Sequence, residues 1–196
     1  ERRAQSRDPV VSIDGRDLAV LLEHSHAFLD FRLAGIADED IVQTIPGATI
    51  SSIAHIYVHA AMTEDETVSR ALGHEPLRHD ERYRDLLPTG VAVAPEWDPS
   101  QFFEPTLHDY VAEVRQRGKA GLATLGSEAI TRDVPFYRLL VRDGRWDVAK
   151  EQAPLHFLLN DNVVLHTFEH VGEIAALRGV AGGDGIPVGA PAWSRP

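Results

Sequence analysis

The sequence predicts an all-α protein, a four-helix bundle with long connecting loops. Three observations carry that reading. Four long segments repeat apolar residues at helical spacing, which makes one apolar stripe per helix. No segment shows a convincing strand alternation. Gly35, Gly73 and Gly179 stand where three of the four segments end, as helix stops commonly do. Four amphipathic helices bury their stripes against one another most simply as a bundle.

Residues 1–14 read as an extended arm. Asp14 or Asp17 caps a first helix that runs to about Ala34, with Leu18, Leu21, Leu22, Phe28 and Leu29 on its stripe. Residues 37–47 are a connector with room for one short helical turn. Thr49 or Ser51 opens the second helix, which runs to Leu72; Ile53, Ile56, Tyr57, Ala60, Val68 and Leu72 form its core face. The stretch 74–100 is broken by Pro76, Pro88, Pro95 and Pro99 and reads as an excursion with little regular structure. The third helix starts at Pro99 or Pro105 and ends near Leu125, with Phe103, Leu107, Tyr110, Val111, Val114 and Leu122 apolar. Within 126–157, Phe136 to Val141 fits a short strand or a helical turn, and Arg142-Asp143-Gly144-Arg145 fits a turn. The fourth helix begins at Ala153 or Asn160 and ends at Arg178. The tail, 181–196, is rich in glycine and proline. The organisation is thus an arm (1–14), one helical domain (15–180) and a tail (181–196), as the length of 196 residues suggests.

Composition narrows the function. A formal net charge of -11 argues against a nucleic-acid-binding surface. No cysteine is present, so disulfides, thiolate metal ligands and a protein thiol nucleophile are excluded. No apolar run approaches the roughly 20 residues that span a bilayer, and the charged N-terminal residues show no signal-peptide pattern. A cytoplasmic protein acting on a small molecule is the expectation, with no membrane and no nucleic acid as partners.

The histidines point to chemistry. His166 and His170 lie four apart in the fourth helix, on one face and one turn apart. Two imidazoles so placed can share a metal ion, and a third from a neighbouring helix leaves an open coordination position of the kind catalytic sites use. The second helix offers His55 and His59, and spacing does not choose between them. Glu64, Asp65, Glu169 and Glu173 are candidates to hold the ring nitrogens that face away from the metal.

Those residues resemble a family. Ile50 to His59 followed by Glu64-Asp65, and His166-x-x-x-His170-x-x-Glu173 to Gly179, look like the second and last bundle helices of the DinB/YfiT-like superfamily. His59 with Glu64 matches the family's register; His55 does not. The resemblance covers roughly residues 15–180. It implies a four-helix bundle whose His59, His166 and His170 hold one divalent metal such as zinc, nickel or iron, often in a homodimer. It also implies a metal-dependent transferase or isomerase using a low-molecular-weight thiol such as mycothiol or bacillithiol, in which the metal lowers the pKa of the cofactor thiol.

Two other readings stand beside that one. In the first, a metal-activated water performs hydrolysis with Glu173 or Glu64 as general base. In the second, the bundle binds metal or a small ligand without catalysis. Arg178 can hold a substrate carboxylate bidentately or pair with Glu173. His24 and His26 flank Ser25, without the Gly-x-Ser-x-Gly elbow of a serine hydrolase. His74, His79 and His108 read as surface residues, and His156 as a packing residue near the metal helix. Trp97, Phe102 and Phe103 read as core, with a pocket wall as the alternative.

Overall fold

A computed structural model describes residues 13–44, 52–88, 97–142 and 145–180, with backbone only between 137 and 149. The expected arm before residue 13, the expected helix starts at Thr49 and Ser51, the turn residues Asp143 and Gly144 and the tail from 181 lie outside the described residues. The chain is mostly helical. α1 spans Gly15–Leu33, α2 Asp38–Val42, α3 Ile53–Leu72, α4 Pro105–Leu122 and α5 Ser127–Thr131. α6 (Leu155–Leu159), a π-helical segment (Asn160–Leu165) and α7 (His166–Val180) follow one another without a break in helical backbone. α1 packs against α4 and α7, and α3 packs against the same two helices, so four helical rods close around a shared interior.

Local chemistry explains the ends of these rods. Asp14 caps α1: its Oδ1 accepts from the backbone N–H groups of Arg16 (2.8 Å) and Asp17 (3.1 Å), and Asp17 Oδ2 accepts from Asp14 N–H in return (3.0 Å). This reciprocal box satisfies donors that a helix start otherwise leaves unpaired. Ser52 caps α3, and Gly73 ends it at φ 74°, a left-handed conformation that glycine adopts without steric cost. α3 is the innermost rod. Ile53, Ile56, Tyr57, Val58, Met62 and Val68 are all buried, and so are the adjacent carboxylates Glu64 and Asp65.

The excursion after α3 carries more of the core than its prolines suggest. Leu77, Tyr83, Leu87, Trp97 and Phe102 are buried in the main cluster. Short 3₁₀ turns at Leu77–His79 and Pro99–Phe103 supply the regular structure there. Asp65 anchors the excursion to α3 by accepting from the backbone N–H groups of Leu77 (2.9 Å) and Arg78 (2.8 Å). Phe103, expected on the third helix's stripe, belongs to the 3₁₀ turn before α4 and is exposed.

One element departs from the all-α expectation. Asp133–Arg142 (β1) and Arg145–Pro154 (β2) form a two-stranded antiparallel ribbon, with Asp133 opposite Pro154 and Arg142 opposite Arg145. The short-strand alternative for Phe136 to Val141 falls within β1, while Leu139-Leu140-Val141 does not alternate. The strand character arises from pairing across the turn, which a local pattern does not encode. Pro135 fits because both strands of a two-stranded ribbon are edges.

Gly118 in α4 marks a close approach. A Cβ there would lie 2.8 Å from Glu64 Oε1 and 3.3 Å from Leu22 Cδ2. Alanine is favoured over glycine in a helix by about 1 kcal/mol, yet here it has nowhere to go. Gly118→Ala is expected to lower stability by about 1–2 kcal/mol, as overpacked cores do. Urea denaturation measures this; a stabilised variant would show that Glu64 swings aside freely.

Candidate metal centre

His59 sits at the middle of α3, and His166 and His170 sit in the first two turns of α7. The fold brings the three together across 107 residues of sequence. His59 Nε2 lies 3.1 Å from His166 Nε2, and His170 Nε2 lies 3.1 Å from the same atom. Ring centroids are 4.3–5.0 Å apart. The potential donor atoms all lie within 4.8 Å of one another, a grouping that could hold a metal ion. Nitrogens about 2.1 Å from one tetrahedral ion stand about 3.4 Å apart, close to the spacing seen.

The protonation of the cluster suits a ligand set. Glu173 Oε2 lies 2.6 Å from His170 Nδ1. With the carboxylate as acceptor, the ring proton sits on Nδ1 and the Nε2 lone pair is left facing its neighbours. His166 is held neutral: burial first, then the proximity of His170 and His59, pushes its pKa down from 6.5 to about 3. Its Nδ1 is buried with no hydrogen-bond partner among the described residues. A neutral imidazole carries one N–H, so three rings meeting at Nε2 cannot satisfy every nitrogen by hydrogen bonds to one another. A cation at the meeting point satisfies all three lone pairs.

The other candidate residues go elsewhere. His55 is buried with its Nδ1 2.7 Å from Ser52 Oγ and its ring edge-on to Trp97 at 5.3 Å; burial pushes its pKa down. Asp65 accepts from Ser69 Oγ (3.2 Å) and Tyr110 Oη (3.1 Å) besides the two backbone donors. Glu169 is exposed. Arg178 Nη1 donates to the backbone carbonyls of Arg32 (3.2 Å) and Ala34 (3.0 Å), closing the end of α1. It stands eight residues beyond His170, about 12 Å along the helix. His156 Nδ1 donates to Ile130 O (3.1 Å), a bond that ties α6 to α5. His74, His79 and His108 are exposed.

Glu64 has a partner the sequence analysis did not single out. Its Oε2 lies 2.6 Å from Nε2 of His26 on α1, and a void roughly the size of one water opens between His26, Tyr57, Glu64 and Thr167. Five residues separate Glu64 from His59, which turns it about 140° around α3. The available signal was positional. Glu64 falls four residues after Ala60 and four before Val68, and His26 falls four after Leu22. A charged or titratable group on an apolar stripe signals a buried partner on another helix.

No protein-family model matches the chain, and no curated protein does. Among the described residues no helix is long and apolar enough to cross a membrane.

The His166 environment makes stability depend on pH. Above pH 6.5 the ring is neutral in both the folded and the unfolded chain. Between pH 6.5 and about 3 the unfolded chain binds a proton that the fold refuses, so stability falls as pH falls through that window. Metal-free protein is expected to lose stability from pH 7 to pH 5 more steeply than a His166→Gln variant. Urea midpoints at each pH measure the two slopes, and equal slopes would refute the assignment.

Proposed function

We propose that His59, His166 and His170 bind one divalent metal and that the protein is a metal-dependent enzyme of the DinB/YfiT-like type. The convergence of three Nε2 atoms from two helices carries this reading. The four packed helical rods and the placement of the histidines on the second and last of them support the family assignment. When bound, the cation supplies a Lewis acid that lowers the pKa of a thiol or water ligand toward neutrality. The chain's own residues then do three things. The three imidazoles would hold the metal through their Nε2 lone pairs, which only the neutral ring offers. Glu173 orients the His170 ring and keeps its proton on Nδ1. α3 and α7 hold the rings at fixed separation, because both are packed into the core.

The thiol-dependent transferase or isomerase is the version we favour. A hydrolase of this design needs a carboxylate poised as general base. Glu173 is committed to His170 and Glu64 to His26. A thiol arriving with the cofactor needs no protein nucleophile, and the chain has no cysteine to offer one.

Protein purified without a polyhistidine tag or a nickel column is expected to carry, or take up, one zinc per chain. His166→Ala abolishes retention and leaves the helices folded, because their apolar stripes hold them. Glu173→Gln weakens zinc binding about 10–100-fold, the usual cost of losing the carboxylate behind a ligand histidine. In cobalt-substituted protein a low-molecular-weight thiol is expected to add sulfur charge-transfer bands. A spectrum unmoved by a panel of thiols would end the transferase version and leave metal binding standing.

The reading includes a homodimer that acts on a small molecule. Val20, Leu21, Phe157 and Leu165 are large apolar residues left exposed on the surface, and twofold pairing is the commonest way to cover such surface. Light scattering at micromolar concentration is expected to give twice the 21.6 kDa chain mass; the chain mass itself would refute the dimer.

A further inference from the structure

The C-terminal ends of α3 and α4, with α5, line an open groove of about 730 Å³. That volume lies in the range of roughly 300–1,000 Å³ typical of small-molecule sites. Arg70, on its wall, lies eleven residues beyond His59, about 16 Å along α3. The groove and the histidine cluster are separate places. Leu72 and Leu125 give the groove an apolar floor, and Arg70, His74, Arg117 and Arg132 stand around it. No acidic residue is among those that line it, in a chain with 30 acidic and 19 basic residues. The local sign of charge is the reverse of the protein's.

Cations near helix C-termini have an ordinary use, since they complement the negative ends of helix dipoles and their unpaired carbonyls. Among the described residues that use takes up only one donor of the groove's cations, the rest of the helix ends being satisfied by backbone and threonine donors. Gly73 N–H donates to Arg70 O (3.1 Å), Arg132 Nη2 to Ala71 O (3.2 Å), Thr124 Oγ1 to Gly121 O (2.6 Å) and Leu125 N–H to Leu122 O (2.9 Å). The side chains of Arg117 and His74 make no hydrogen bond or ion pair among the described residues, although the Arg117 charge reaches Asp80 and Glu113. Arg70 meets Glu66 from a position that is 74% exposed, where solvent screens the pair. Cationic donors therefore remain beside an apolar floor after the helix ends are satisfied.

We propose that this groove binds a small organic anion with an apolar body, of the aryl- or branched alkyl-carboxylate class. The anionic group meets the planar guanidinium fork of Arg117, which suits a carboxylate or sulfonate, and the donors of Arg132 that Ala71 O leaves over. The apolar body lies on Leu72 and Leu125. This site is independent of the metal reading and does not use its residues.

The probe is 8-anilinonaphthalene-1-sulfonate, an amphipathic anion whose fluorescence rises on binding. Folded wild-type protein is expected to bind one equivalent saturably at low ionic strength, and binding should weaken several-fold at high salt. The double variant Arg117→Glu, Arg132→Glu loses at least tenfold in affinity. The milder Arg117→Gln loses less, and circular dichroism confirms that both stay folded. Lys150→Glu with Arg84→Glu, both exposed and outside the groove lining, gives the same change in net charge and leaves binding unchanged. The uncharged N-phenyl-1-naphthylamine binds at least tenfold more weakly than the anion. Saturating zinc does not displace the probe. Equal losses in both double variants, equal affinity for the uncharged probe, displacement by zinc, or no saturable binding would each overturn the proposal.

Discussion

The structure depends on the burial of two adjacent carboxylates at the centre of α3. Glu64 and Asp65 are each about 3% exposed. A buried charge without partners costs several kcal/mol, so each must be answered. Consecutive residues on a helix diverge by about 100°, and these two reach different neighbours. Glu64 turns to His26 on α1. Asp65 takes the backbone of the excursion at Leu77 and Arg78 and the hydroxyl of Tyr110 on α4. Burial and the Asp65 charge push that hydroxyl's pKa up, so Tyr110 stays a donor. An apolar stripe alone tolerates rotation of a helix within its groove. Two carboxylates about 100° apart with partners on different helices do not. α3 is thereby held in one rotation about its axis, and His59, on the same rod, is aimed at α7.

The other half of the cluster depends on how α7 is reached. The chain enters it through Asn160-Asp161-Asn162, residues with poor helix propensity, and the backbone widens into a π-helical segment that ends at Leu165. Such a segment changes the phase of a helix and is frequent beside functional sites. Here it sits immediately before His166. Thr167 is buried and its hydroxyl donates to Val163 O at 2.7 Å, tying the first turn of α7 back onto the widened segment. The rings of His166 and His170 then face His59, and burial, with the two neighbouring rings, pushes the pKa of His166 down. The net negative charge of the chain adds a general attraction for cations at the histidine cluster, which holds no lysine or arginine.

The long helices and their caps were legible in the sequence because both are local. Leu18, Leu22 and Leu29 recur at helical spacing, Asp14 precedes Asp17 at capping-box distance, and Gly73 follows Leu72 where α3 ends. The i, i+4 geometry of His166 and His170 was equally local, since one helix sets it without help from the rest of the fold. The sequence by itself also excluded thiolate chemistry from the protein's own side chains and set the sign of its net charge.

Tertiary structure decided what depends on pairs distant in sequence. His55 and His59 have the same residue type on the same helix, and only the packing of α3 against Trp97 on one side and α7 on the other separates a buried histidine bonded to Ser52 from a member of the cluster. The ribbon of β1 and β2 forms because each strand's hydrogen-bonding partner lies across a turn, which periodicity within either strand does not report. Glu64 and His26 are 38 residues apart, and Leu77 and Trp97 reach the core from a stretch whose prolines forbid a long helix. Periodicity is a property of one segment, whereas hydrogen-bond satisfaction and charge burial are properties of two. The first can be read along a chain, and the second waits for the fold to bring the partners together.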